Sequence, residues 1–126
     1  KTPVIVHNPR KNKKKVLKEI LTILPDHISP ELVVIDHVNQ NIVGELIDTD
    51  YTLGLTVQPQ KMDKEEAIAI LKEYGFDRFL LNSDMSNKQS DPLSVAKTVR
   101  ELQRLDFEKK EIEKVASKNA KKFYKI

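Results

Sequence analysis

The sequence predicts an α/β protein built on a parallel sheet, and three observations carry that reading. Apolar, largely β-branched runs begin near residues 4, 32, 52 and 78, and a segment with helical spacing follows each. Strict alternation of strand and helix is the pattern of parallel strands joined by right-handed crossovers. The 126 residues are 39% hydrophobic and 33% charged, enough for one core and a solvated surface.

Val4-Ile5-Val6 is a short β-branched run closed by Asn8-Pro9, a strand with a loop at its end. Residues 11–24 then place Val16, Leu17, Ile20, Leu21 and Leu24 on one helical stripe, and Pro25 stops it. Leu32-Val33-Val34-Ile35 is continuously apolar, as a strand buried on both faces must be. A short helix over 41–47 follows. The third strand covers 52–57 and ends at Gln58-Pro59.

Asp63-Lys64-Glu65-Glu66 has capping-box spacing, with Asp63 accepting from the turn and Glu66 reaching back. The helix it opens carries Ala67, Ile68, Ile70, Leu71 and Tyr74 and stops at Gly75. Phe79-Leu80-Leu81 is the fourth strand. Asp91 then caps a helix with Pro92 at its first position, running to about residue 105. Asp106 is expected to cap a further helix to about residue 116, and a last short helix ends near Phe123.

No linker or compositional break divides the chain, so residues 1–126 are expected to form one (β/α)4 unit with extra C-terminal helices. A complete (β/α)8 barrel takes about 250 residues. Four repeats are half of one, and a small doubly wound sheet is the alternative. Lys1 stands where an initiator Met would, directly before an apolar run, and a fragment or processed product is expected.

Composition excludes several functions. The sequence holds no apolar run of membrane-spanning length and no secretory h-region, so a cytoplasmic protein is expected. Absence of cysteine removes disulfides, thiolate metal sites and Cys nucleophiles. The only glycines are Gly44, Gly54 and Gly75, and none opens a helix after a strand, which removes a Gly-rich dinucleotide or Walker loop. Ser83 and Ser86 lack a nucleophile elbow.

The net charge of +3 is concentrated in basic runs over 10–18 and from Lys109 onward. Such runs are ordinarily solvated helix faces; a phosphate-rich ligand such as nucleic acid is the alternative. With no aromatic residue among 10–18, stacking recognition of single strands has no platform there.

Active sites of parallel α/β proteins lie beyond the carboxyl ends of the strands. The first strand delivers His7, Asn8 and Arg10; the second Asp36, His37 and Asn39; the third Gln58; the fourth Asn82, Ser83 and Asp84. One histidine at a strand end is ordinarily a hydrogen-bonded loop residue. Two, with an aspartate, at equivalent positions of three repeats argue for one shared site. Imidazole and carboxylate together suit Zn²⁺ and similar divalent ions. Alternation along the strand turns Asp36 away from His37, so Asp36 is read as orienting a neighbour and not as a ligand. His27, behind a helix on the opposite face, is read as a surface residue.

His7, His37 and Asn82-Ser83-Asp84, in that order, resemble the carboxyl-terminal half of a TatD-related metal-dependent hydrolase of the amidohydrolase superfamily. So do Leu53-Gly54-Leu55-Thr56-Val57-Gln58-Pro59, Ser90-Asp91-Pro92-Leu93-Ser94-Val95-Ala96-Lys97 and Asn119-Ala120-Lys121-Lys122-Phe123-Tyr124. The resemblance covers essentially the whole chain. It implies half of a TIM barrel whose metal site is shared between halves. His7, His37 and Asp84 would be ligands, and Asp84 would also take a proton from the attacking water. The cofactor implied is a divalent ion, Zn, Mg or Mn. The family's His-x-His and its bridging Glu have no counterpart here, and Ala120 stands where Pro is common. An amino-terminal half, in the same or a separate chain, is therefore the expected partner. Two copies of this chain would assemble the wrong ligand set.

The expected function is metal-dependent hydrolysis of a phosphoester, amide or ester. Arg10 and Lys11 are candidates to hold an anionic substrate group. Gln58 and Ser83 are candidate contacts to substrate or to the ligands. The rival is a non-enzymatic, flavodoxin-like module binding a phosphate-bearing ligand or a protein, in which His7, His37 and Asp84 are ordinary loop residues.

Overall fold

The computed structural model describes residues 2–86 and 89–126. Strands β1 (Val4–His7), β2 (Val33–Asp36), β3 (Thr52–Thr56) and β4 (Phe79–Asn82) lie side by side in sequence order, each neighbouring pair parallel. A doubly wound sheet reverses its order at a switch point, whereas a barrel segment does not. The sequential order is that of the barrel segment. Register sets His7 opposite Asp36 and Thr56 opposite Asn82, so the polar carboxyl ends lie along one rim.

Helices α1 (Lys13–Ile23), α2 (Val43–Leu46), α3 (Lys64–Tyr74) and α4 (Ser94–Arg104) follow the strands. Asp63 caps α3 as its spacing predicts, accepting the Glu66 N–H at 2.8 Å. Glu66 does not reach back; its carboxylate takes the Gln40 N–H at 3.1 Å, so a tertiary partner outcompetes the local one. Gly75, at φ 83°, closes the helix with its N–H on the Leu71 carbonyl. The fourth helix starts two residues after Pro92, behind a turn in which Asp91 accepts the Leu93 N–H at 2.9 Å. Asp106 is not a cap. It turns the chain at φ 57°, and α5 (Lys109–Glu113) starts beyond it. A five-residue π-helical stretch, Lys114–Lys118, leads into α6 (Asn119–Tyr124).

Alternation along the strands divides the core. Val33, Ile35, Leu53, Leu55 and Phe79 are buried against Leu17 of α1, Ile70 and Leu71 of α3 and Leu102 of α4. Val34 and Leu80 face the other way and are covered by Phe123 of α6. Helices confined to one face, the arrangement a barrel segment predicts, therefore do not describe the whole chain. Apolar side chains on the second face would otherwise stand in water, and Phe123 removes part of that exposure. β2 is buried on both faces, as its sequence requires. Among the described residues β1 pairs on one side only, and Val4 is 40% and Ile5 56% exposed. Among the described residues no helix is long and apolar enough to cross a membrane.

Candidate functional site

The polar rim is organised around Asp36. Its Oδ1 accepts from Asn82 Nδ2 at 2.8 Å and from the Thr56 hydroxyl at 3.2 Å, which ties together three neighbouring strands. Gly54 makes room for this carboxylate: a Cβ there would come 2.1 Å from Asp36 Oδ1.

His37 follows with φ 59°, a left-handed conformation uncommon outside glycine. The reversal cancels the alternation expected after Asp36. Both side chains thus reach the same site, and the sequence-based placement of Asp36 on the opposite side is corrected. It is the turn at the strand end, not the strand, that sets the direction.

His37 Nδ1 lies 2.7 Å from Thr56 Oγ1, whose own proton goes to Asp36. Satisfying both bonds requires Nδ1 to carry the proton and leaves Nε2 with its lone pair. Nε2 stands 3.5 Å from Asp84 Oδ2 and 3.7 Å from Asp36 Oδ2. Burial pushes the His37 pKa down, outweighing the pull of Asp36 in the other direction, and keeps the ring neutral near pH 7. A bare nitrogen facing two carboxylate oxygens is an environment for a cation. The His7 ring packs edge-on against His37, centroids 4.4 Å apart.

Asp84 projects from the loop after β4 at φ 37°. Its carboxylate receives the Lys61 ammonium, which also donates to the Asp84 carbonyl at 2.9 Å. That hydrogen bond holds the Asp84 carboxyl below the usual aspartate range. His7, His37 and Asp84 are therefore gathered at one end of the sheet. In kind, two imidazoles and a carboxylate fit a divalent ion. Among the described residues, however, no three His, Asp or Glu side chains are arranged to enclose one.

The remaining candidates fall in different places. Arg10 crosses from the first loop to the third and donates to the Gln60 carbonyl, while Lys11 is exposed. Gln58 is buried and its carboxamide is engaged: Nε2 donates to the Asp91 carbonyl at 3.0 Å and Oε1 accepts the Asp91 N–H at 2.8 Å. Ser83 is half-buried between Asn82 and Asp84, and His27 is exposed. Sequence reasoning missed Lys61 and Lys13. A cavity of about 200 Å³ opens beside the two histidines, with Asn8, Arg10, Lys13 and Lys61 on its wall. Their signal was position, since each lies in or just after a loop at a strand's carboxyl end, but surface lysines are too common for position alone to single them out.

Comparisons with known proteins bear on the fold and the family. No protein-family model matches the chain. It is 41% identical over 126 residues to an uncharacterized metal-dependent hydrolase of Methanocaldococcus jannaschii, with 98% of this chain and 49% of that protein aligned. The chain thus spans about half the length of the curated relative it matches. The crystal structure of a TatD-like protein from Archaeoglobus fulgidus superposes with a TM-score of 0.75 at 36% identity, covering 99% of this chain and 48% of that one. A β-aspartyl dipeptidase from Fervidobacterium islandicum gives a TM-score of 0.70 at 19% identity over 95% of this chain and 37% of its own, a likeness of fold alone.

Proposed function

We propose that this chain, TatD-like along its length and half as long as the proteins it resembles, is the carboxyl-terminal half of a metal-dependent hydrolase. One observation carries the reading: the neutral His37 ring presents a bare Nε2 to Asp84 and Asp36 at the sheet's carboxyl rim, with His7 against it. His7, His37 and Asp84 supply part of a ligand set for a divalent ion, Zn, Mg or Mn, and an amino-terminal half-barrel supplies the rest. In hydrolases of this chemistry such an ion acts as a Lewis acid on the scissile group.

This chain's own residues prepare the site. Thr56 fixes the His37 tautomer, and Asp36 fixes Thr56 and Asn82. Asp84, kept ionised by Lys61, accepts a proton at its carboxylate. The substrate is a phosphoester, amide or ester, and the compartment proposed is the cytoplasm.

The test joins the chain to an amino-terminal half-barrel and measures metal content and hydrolysis of aryl phosphate and aryl ester. Asp84→Asn removes the proton acceptor and should lower the rate about 10²–10⁴-fold. His7→Ala with His37→Ala should lose the metal, and His27→Ala should change neither. Normal metal content and turnover in the double histidine variant would sink the proposal.

A further inference from the structure

We propose that the cavity beside the histidines is a built site for one anionic group, a phosphate or a carboxylate, gripped by Lys13, Asn8 and Arg10.

Two observations meet in the cavity, and the helix that carries Lys13 into it adds another. Asn8 is 1% exposed and lines the cavity, yet among the described residues neither its Nδ2 nor its Oδ1 has a hydrogen-bond partner. A buried carboxamide left unpaired costs free energy, and an anion's oxygen would recover the share that belongs to the Nδ2 donor. The start of α1 is the second observation. Asn12 makes no side-chain cap, and the first turn carries Lys13, Lys14 and Lys15 with no acid. Cations at a helix N-terminus oppose the macrodipole, an arrangement that an anion relieves.

The third is the placement of the cations. Lys13 is half-buried and held over the cavity by the carbonyls of Asn8 at 3.1 Å and His37 at 2.9 Å. An ammonium ion has three donors. Two are spent on those carbonyls, and among the described residues no acceptor takes the third, which a ligand oxygen could use. Arg10 closes the rim from the first loop to the third, and Lys61 lies on the same wall. At about 200 Å³ the space suits a single group rather than a large ligand, whose pockets run to roughly 300–1,000 Å³.

Calling this group the anchor of a substrate rests on the hydrolase reading; the binding itself does not. The experiment therefore uses the chain without metal, in chelator, and titrates inorganic phosphate and acetate separately at constant ionic strength, read by amide NMR shifts. Saturable shifts at Asn8, Lys13 and His37 are expected, and the tighter of the two ions identifies the group. Lys13→Met should weaken binding about tenfold or more, the worth of one charge-assisted hydrogen bond. Arg10→Gln, on the exposed rim, should weaken it severalfold. Lys18→Met, exposed on α1 outside the cavity, should leave it unchanged. Shifts that fail to saturate with either ion, or equal affinity in Lys13→Met, Arg10→Gln and the unaltered chain, would overturn the proposal. Saturable anion binding in a chain whose completed barrel takes up no metal would retain this site and discard the hydrolase.

Discussion

At the scale of single residues, Gly54 and Asp36 form one device. The carboxylate occupies the space a side chain at 54 would fill, so Gly54→Ala must displace Asp36 from Asn82 and Thr56. We expect a loss of about 1–3 kcal/mol, the usual cost of overpacking, seen as a lower urea midpoint. Gly44→Ala, whose Cβ would meet nothing nearer than 3.9 Å, is the control and should be neutral or stabilising. Equal effects of the two substitutions would remove the steric account. Asp91 gives a pH-dependent case. Its carboxylate is held below the usual 3.8, first by Lys97 at 2.6 Å and then by the Leu93 N–H. A depressed folded pKa gives stability that is present above the unfolded value and lost as pH falls through the folded one. Protection of the first-turn amides of α4 should therefore drop below about pH 4. In Lys97→Met the NMR midpoint of Asp91 should rise; an unmoved midpoint would exclude Lys97 as the cause.

Among the elements, the last helix does the least expected work. α6 is tied to β4 by Asn119, whose Nδ2 donates to the carbonyls of Phe76 at 2.7 Å and Phe79 at 2.6 Å. This anchor lets Phe123 reach Val34 and Leu80 on the second face of the sheet. Asn119→Ala leaves two carbonyls without that donor and should cost about 1–3 kcal/mol. Faster amide exchange along α6, with β1 and β2 unchanged, would mark the loss as local. Uniform acceleration across all strands would instead make α6 part of the global folding unit.

For the molecule as a whole, β1 is an exposed edge of the sheet. Among the described residues it has a neighbour on one side only, and it presents Val4 and Ile5 to solvent, a template for another strand. If a complementing half-barrel pairs there, Ile5→Lys should abolish its co-elution with this chain. Because Ile5 is already 56% exposed, the chain's own stability should shift by less than about 0.5 kcal/mol. Undiminished co-elution of Ile5→Lys would place the junction elsewhere.

The order of strands and helices, the strand ends that carry His7, His37 and Asp84, and the caps at Asp63 and Gly75 were legible because each depends on local periodicity, turn chemistry or position in a repeat. The TatD-like resemblance was legible for the same reason, as short motifs in fixed order. Tertiary structure alone decided the rest. The left-handed turn at His37 brought Asp36 into the site, since one backbone dihedral at a strand end reverses what alternation predicts. Glu66 gave up its local cap for Gln40. Phe123 crossed to the second face of the sheet because Val34 and Leu80 needed cover there. Lys61 found Asp84 from another loop, since an ion pair between distant residues leaves no mark on the spacing of either.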